Sequence, residues 1–374
     1  MPALQNRPVT IIGAGIGGLT AAIALAQRGA QVTVLERAPE LTDVGAGIQL
    51  SPNAMRVLDR LGLHDAVAAV SLRSQAVQLH DQNGAPLLRM DLIRHRPNDD
   101  FRLIHRARLI NVLAQAAHNA GVIIHLNHNV TTPPDAPLVI GADGLHSRIR
   151  PELNGTAAPF FTGQTAWRAL IPDDDAAPQA QVFTGPGRHL VSYPLAPGLR
   201  NIVAVMERPD WQAEGWSHLD DPVNLRTAFA GFGGPVPGWL DRVDLLHIWG
   251  LFRHPVAPVW QDGRMAILGD AAHPTLPFMA QGAVMAIEDA WTLAACLDAD
   301  TDQTTALARY QTARLPRTTQ IVAAANANAR NYHLTGPRKT AGHAALRLIN
   351  KIAPQQMLTR FNWIYDYNPV TQYP

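Results

Sequence analysis

The sequence predicts an α/β protein. It comprises a Rossmann-like domain with a mostly parallel sheet, a smaller, largely antiparallel β-sheet domain, and C-terminal helices. Three observations carry this. Arg7 to Arg37 reads as strand, glycine-rich turn, helix, strand and acidic residue. From about Phe160 to Val256 strand-like segments alternate with Pro/Gly turns, and clear helix patterns are scarce. From Arg264 the α/β texture returns. With 374 residues the chain has room for two domains.

The elements follow in order. Val9-Thr10-Ile11-Ile12 is an apolar, β-branched run, as a buried parallel strand requires. Gly13-Ala14-Gly15-Ile16-Gly17-Gly18 follows at once, then an Ala- and Leu-rich helix from Leu19 to Gln27, ended by Gly29. Gln31 to Leu35 is a second strand, closed by Glu36. In such a unit Gly13 permits the tight turn, Gly15 lets backbone approach a pyrophosphate, and Gly18 lets the helix lie close to the strand. The helix N-terminus offers free N–H groups to phosphate. Glu36, eighteen positions after Gly18, stands near the spacing at which a carboxylate takes ribose hydroxyls. The unit therefore binds a dinucleotide, and it does not by itself say NAD or FAD.

Val44 to Asn53 carries glycines that suggest backbone close to a ligand or crossing another segment, before a helix from Ala54 to Leu61. Ser74 to Met90 alternates around Asp81-Gln82-Asn83-Gly84, a hairpin signal and an excursion into the second domain. Leu109 to Ala120 is helical, and Val122 to Leu126 and Val139 to Ala142 are strands. Pro172 to Pro178 and Phe232 to Pro237 read as surface loops. Met265 to Leu268 is a buried strand, Gly282 to Leu297 a helix, and Thr304 to Arg330 a long helix that Pro316 kinks or divides. The aromatic tail Phe361 to Tyr367 is expected to dock on the body. The expected division is 1–73, 100–158 and 259–335 for the nucleotide-binding domain, 74–99 and 159–258 for the second, and 336–374 for the C-terminal segment.

Bulk properties narrow the function. The chain is 47% apolar and 16% charged with a formal net charge of +1, so no nucleic-acid partner is expected. Cys296 is the only cysteine, which excludes an intramolecular disulfide and a multi-cysteine metal site. His125 and His128 have no acidic or cysteine neighbour, so no metal is expected there. The uncharged stretch between Arg7 and Arg28 has a signal-peptide look, but its glycines fit the nucleotide turn. A retained segment and a cytoplasmic location are expected. No other stretch is long and apolar enough to span a membrane.

Three stretches in sequence identify a likeness. They are Gly13 to Gly18, then Gly141-Ala142-Asp143-Gly144-Leu145-His146-Ser147-Arg148-Ile149-Arg150, then Gly269-Asp270-Ala271-Ala272-His273-Pro274. Their order and spacing resemble the single-component, FAD-dependent aromatic hydroxylases, with the salicylate, 3-hydroxybenzoate and 6-hydroxynicotinate hydroxylases as the nearest group. The likeness runs from about Pro8 to Arg330, and Gln281-Gly282-Ala283 with Ala286-Ile287-Glu288-Asp289-Ala290 sharpens it. Many relatives carry Gly where this chain has Ala280.

The resemblance implies FAD, held by the fingerprint glycines, Glu36, Arg37 in the loop that follows it, and Arg106. Asp270 accepts from ribityl hydroxyls or, in a plainer reading, caps a helix. Gly282 and Ala283 turn helix N–H groups toward the flavin pyrimidine. Asp143 serves FAD and the nicotinamide cosubstrate, or is only a turn carboxylate; Arg148 and Arg150 fit a solvated face. With a single fingerprint, NAD(P)H is expected to bind transiently, NADH in preference to NADPH. His273-Pro274 is read as structural.

For the substrate, His189 and Tyr193 are four apart, which in an extended strand places both on one side. A histidine there can deprotonate a phenol, and the tyrosine can donate to the substrate. The resemblance supports the pair; the alternative is a buried His and Tyr satisfied by backbone. Gln281 is the candidate third polar contact. Trp167-Arg168 either lines the site or is a core Trp with an exposed Arg. The implied reaction uses NAD(P)H and O2 to hydroxylate a small phenolic or hydroxy-aromatic acid through a flavin C4a-hydroperoxide. The rival readings are a flavin monooxygenase for non-aromatic or polycyclic compounds, an NAD-dependent dehydrogenase and a non-catalytic flavin-binding sensor. A homodimer is compatible. The substrate, its ring position and any coupled decarboxylation stay open.

Overall fold

Val9, Ile11 and Ile12 are buried, as the central strand of a covered parallel sheet must be. In the computed structural model, which describes residues 3–41, 47–173, 177–196, 198–211 and 218–374, they belong to Pro8–Ile12. This strand is flanked by Gln31–Leu35 on one side and Val139–Gly141 on the other; Ile123–His125 and Met265–Ile267 complete five parallel strands. The helix Ile16–Ala26 is buried almost all round, because it lies between this sheet and the helix Gly282–Ala299.

A second sheet of eight strands runs His218–Leu219, His247–Arg253, Phe160–Pro172, Leu199–Glu207, Arg188–Leu195, Gln179–Gly185, Ala76–Asp81 and Pro86–Asp91. All pairings are antiparallel except Gln179–Gly185 with Ala76–Asp81. The excursion at 74–91 therefore joins this sheet. Its turn is the expected hairpin: Asp81 accepts from the N–H groups of Asn83 and Ala85, and Gly84 has φ 86°. A small antiparallel sheet of Gly47–Leu50, Arg102–His105 and Ser71–Arg73 lies between the two.

The large sheet sorts its side chains by strand alternation. Trp167, Leu190, Ile202, Ala204 and Ile248 pack against the short helices Pro222–Ala228 and Val236–Leu240. His189, Val191, Tyr193, Val203, Val205 and Trp249 face the other way, into a cavity.

Three expectations need correction. Phe232 to Pro237 is not a surface loop: Phe232 and Val236 are buried, because this stretch leads into a helix that covers the sheet. Pro316 does not divide its helix, which runs unbroken from Gln303 to Tyr332. The hydroxyls of Thr318 and Thr319 hydrogen-bond back to Arg314 and Leu315 carbonyls beside the proline. Arg150 is not on a solvated face. It is buried and donates to the carbonyls of Ala271, Ala272 and Pro255, fastening the loop after Met265–Ile267. The aromatic tail docks as expected, with Tyr365 edge-on to Phe101 and Ile364 buried. No helix among the described residues is long and apolar enough to cross a membrane.

Candidate active site

The fingerprint turn is one that only glycine fits at two positions. Gly13 has φ 99°, and a Cβ there would lie 2.5 Å from the Ala142 carbonyl oxygen. A Cβ on Gly18 would lie 2.0 Å from the Gly13 carbonyl oxygen. Gly15 differs. It precedes the helix Ile16–Ala26, and a Cβ there would meet nothing within 4 Å. The space in front of it is the meeting point of two cavities.

One cavity, about 380 Å³, is lined by Gly13 to Gly15, Glu36, Arg37, Asp143 and Arg148. The other, about 320 Å³, is lined by Gly282 and Ala283, Asp270, and the inward face of the large sheet. Gly15, Arg106, Ala142 and Gly144 line both. Together they form one elongated channel with a helix N-terminus at its middle.

Each expected cofactor residue can now be placed. Glu36 accepts from the N–H groups of Ala14 (2.7 Å) and Ala38 (2.9 Å), so it braces the turn while facing the first cavity. Asp143 Oδ2 accepts from the Arg148 N–H at 2.6 Å, and Oδ1 is buried with no hydrogen-bond partner among the described residues. Burial pushes this carboxyl up, against the pull of its hydrogen bonds. Arg106 opens the helix Arg106–Asn119 behind His105, whose Nδ1 accepts from the Ala107 N–H. Asp270 sits in the turn Gly269–Ala271, is exposed and lines the cavity. Enclosure raises its pKa, while His273 and Arg106 draw it back. Gly282 and Ala283 open the helix Gly282–Ala299 at the cavity wall. Val44, Gly45 and Ala46 lie outside the described residues, and Gly47, which follows them, lies close against the large sheet. A Cβ on it would lie 2.5 Å from the Tyr193 ring.

The strand Arg188–Leu195 brings His189, Val191 and Tyr193 to the second cavity, as the four-residue spacing predicts. His189 is fully buried, and burial together with His333 holds its imidazole well below the usual range, hence neutral. Its Nε2 has no hydrogen-bond partner among the described residues. Burial likewise raises the Tyr193 phenol, which stays protonated. The Trp167-Arg168 pair splits between the two readings. Trp167 is a core residue whose Nε1 donates to Asp220, and Arg168 lines the cavity with its guanidinium 4.6 Å from the Trp249 ring centre.

Gln281 is the expectation the structure does not support. Its amide donates to Ser51 and accepts from Asn53, and it is not among the residues lining the cavity. The residues around it form a buried network that the sequence did not reveal. Asp289 accepts from the Gly269 N–H (3.0 Å), His273 Nε2 (2.5 Å) and Arg314 Nε (2.7 Å). Glu288 pairs with Arg314 and Arg317 and accepts from Asn53. Burial alone would raise the Asp289 pKa, but His273 and Arg314 outweigh it and bring it to about 2. His273 thus has the structural place expected of it.

The channel fits FAD on the shape of the turn at Gly15, the unpartnered Asp143 oxygen and the two helix N-termini. A family model described as "FAD binding domain" matches residues 6–135 and 134–325. The chain is 37% identical to the 3-amino-4-hydroxybenzoate 2-monooxygenase PtmB3 of Streptomyces platensis, over 97% of each chain. It is 32% identical to 3-hydroxybenzoate 6-hydroxylase 1 of Aquipseudomonas alcaligenes, over 99% of this chain and 100% of that one. The fold is that of a salicylate hydroxylase solved with its substrate, at TM-score 0.82 and 22% identity over 99% and 97% of the two chains. Fold, channel and relatives agree: the chain belongs to the FAD-binding family of flavoprotein aromatic hydroxylases, and it is an FAD-dependent monooxygenase.

Proposed function

We propose that the enzyme hydroxylates a small hydroxybenzoate-like acid, taking electrons from NADH and oxygen from O2. The observation that carries this reading is the second cavity itself. Beyond Gln49, Arg106, Asp270 and Thr275, its polar side chains are a neutral histidine, a protonated tyrosine and an arginine, set among Val191, Val203, Val205, Trp249 and Phe278. That set suits a flat ring bearing one phenol and one carboxylate. The named activities of the relatives, on 3-amino-4-hydroxybenzoate and 3-hydroxybenzoate, have the same two groups.

Bound FAD supplies the redox chemistry and the activated oxygen. The chain does the rest. Gly13, Gly15, Gly18, Glu36, Arg37, Arg106, Asp143, Asp270, Gly282 and Ala283 hold the cofactor. Arg168 takes the substrate carboxylate, and Tyr193 donates to the ring substituents. His189 Nε2 removes the phenol proton, which raises electron density at the ring carbons ortho and para to the oxygen. The apolar walls exclude water from the transfer. The expected division into a cofactor part (1–73, 100–158, 259–335) and a substrate part (74–99, 159–258) belongs to this reading.

The test is NADH oxidation by the flavin-loaded enzyme against a panel of hydroxylated benzoates, with product and peroxide counted together. One compound should accelerate oxidation and yield a hydroxylated product with little peroxide. His189→Ala should keep its flavin and lose at least about 100-fold in hydroxylation, the usual size of a general-base effect. Coupled turnover at the wild-type rate in that variant would remove His189 from the mechanism. If no benzoate accelerates oxidation, the substrate class is wrong.

A further inference from the structure

His189 does not end at the cavity. Its Nδ1 lies 2.7 Å from His333 Nε2, and His333 Nδ1 lies 2.8 Å from Glu207 Oε1. His333 terminates the long helix Gln303–Tyr332, and Glu207 ends the strand Leu199–Glu207, so three separate elements meet in one line. Burial changes along that line. The His189 side chain is fully buried, that of His333 is 2% exposed, and that of Glu207 is 55% exposed. We propose that His189, His333 and Glu207 form a proton relay that carries the substrate's phenolic proton from the cavity to solvent. This deepens the proposed function and rests on it for the identity of the proton donor.

The polarity of the line follows from the chemistry of its outer end. An ionised carboxylate can only accept, so His333 must carry its proton on Nδ1. Neutral His333 then has a lone pair on Nε2, and His189 must donate to it from Nδ1. Neutral His189 is left with its lone pair on Nε2, a buried atom of a cavity-lining residue that has no hydrogen-bond partner among the described residues. The carboxylate at the surface thus sets the basic nitrogen at the ring. In the forward step the phenol O–H bond breaks and a proton binds His189 Nε2. The Nδ1 proton of His189 passes to His333 Nε2, the Nδ1 proton of His333 passes to Glu207, and Glu207 gives a proton to water. One phenolate and one solvent proton result, with both imidazoles still neutral. The reverse transfers reset it: Glu207 takes a proton from water, and the Nε2 proton of His189 goes to the phenolate oxygen of the product.

Other titratable neighbours do not interrupt this path. The groups against His189 are His333 and Tyr332, whose ring centre is 5.1 Å away. Burial, with a smaller effect of Tyr365, pushes the Tyr332 phenol up to about 12, so it stays protonated. His333 faces His189 and Glu207. Burial keeps the pKa of His333 below the ordinary value although Glu207 pulls upward.

Two measurements on the flavin-loaded enzyme test the relay. The first needs no substrate. Imidazole ¹⁵N shifts should place the protons of both His189 and His333 on Nδ1, and Glu207→Gln should change the His333 pattern. A proton on His189 Nε2 would make it a donor to the ring and overturn the proposal. The second uses 3-hydroxybenzoate and 3-amino-4-hydroxybenzoate as probes, with a pH indicator in stopped flow and phenolate absorbance read in parallel. Wild type should release a proton as phenolate forms, and Glu207→Gln and His333→Gln should slow that release at least tenfold without changing flavin content. Release as fast as wild type in both variants would overturn the relay. If neither probe binds to wild type, the substrate class fails, and the nitrogen shifts decide the relay alone.

Discussion

At the scale of single residues, the turn at the head of the channel separates structural from ligand-facing glycines. Gly18→Ala places a methyl against the Gly13 carbonyl and should cost about 1–3 kcal/mol or more in folding. Gly15→Ala meets no protein atom and has an ordinary φ of −73°, so the apoprotein should melt as wild type while FAD affinity falls at least tenfold. Thermal melts of the apoproteins and flavin fluorescence titrations separate the two. Ala280 is the opposite case. It adopts φ 53° and ψ 33°, a left-handed conformation that costs a Cβ-bearing residue about 1–2 kcal/mol. Glycine offsets part of that gain through unfolded-state entropy. Ala280→Gly should therefore be neutral or stabilising by up to about 1 kcal/mol in chemical denaturation; a clear loss would show that the Ala280 methyl is needed in the cavity. The departure at this position was visible in the sequence, but its backbone angle was not.

Among elements, the central joint is between the helices Gly282–Ala299 and Gln303–Tyr332. Asp289 and Glu288 of the first meet Arg314 and Arg317 of the second, and Asp289 also holds Gly269 and His273. Asp289→Asn leaves Arg314 buried with one of its two carboxylate partners, a loss of about 3–5 kcal/mol with release of flavin. The acid side follows from the same contacts. The folded pKa of Asp289, about 2, lies below its unfolded value of about 3.9. Its contribution, on the order of 2–3 kcal/mol, is therefore full above about pH 4 and is lost as pH falls toward 2. Urea midpoints measured between pH 2 and 6 should fall steeply for wild type and more shallowly for Asp289→Asn. These elements were legible in the sequence as helices because their apolar content and glycine boundaries are local signals. The joint was not, because Asp289 and Arg314 are 25 positions apart and nothing local says that their helices lie side by side.

For the whole molecule, the parallel sheet, the change of texture after Phe160 and the placing of His189 with Tyr193 were all readable from periodicity and spacing. What sequence could not supply were meetings over long separations. His333 reaches His189 across 144 positions, and Arg150 reaches the loop near Ala271 across 121. Gln281 was the candidate third polar contact; its amide is instead taken by Ser51 and Asn53, which no local pattern announces. The parallel pairing of Gln179–Gly185 with Ala76–Asp81 has a consequence for dissection. A fragment of 159–258 produced alone would keep most of its strands but expose the unpaired flank of Gln179–Gly185. Such a bare strand is a template for self-association. The fragment should aggregate on expression, and a fusion that returns 74–99 through a flexible linker should recover soluble monomer in size-exclusion chromatography. A soluble, folded 159–258 would show that the early hairpin is an ornament on the sheet; insolubility cured by the hairpin would make it the guard that keeps the substrate-side sheet from polymerising.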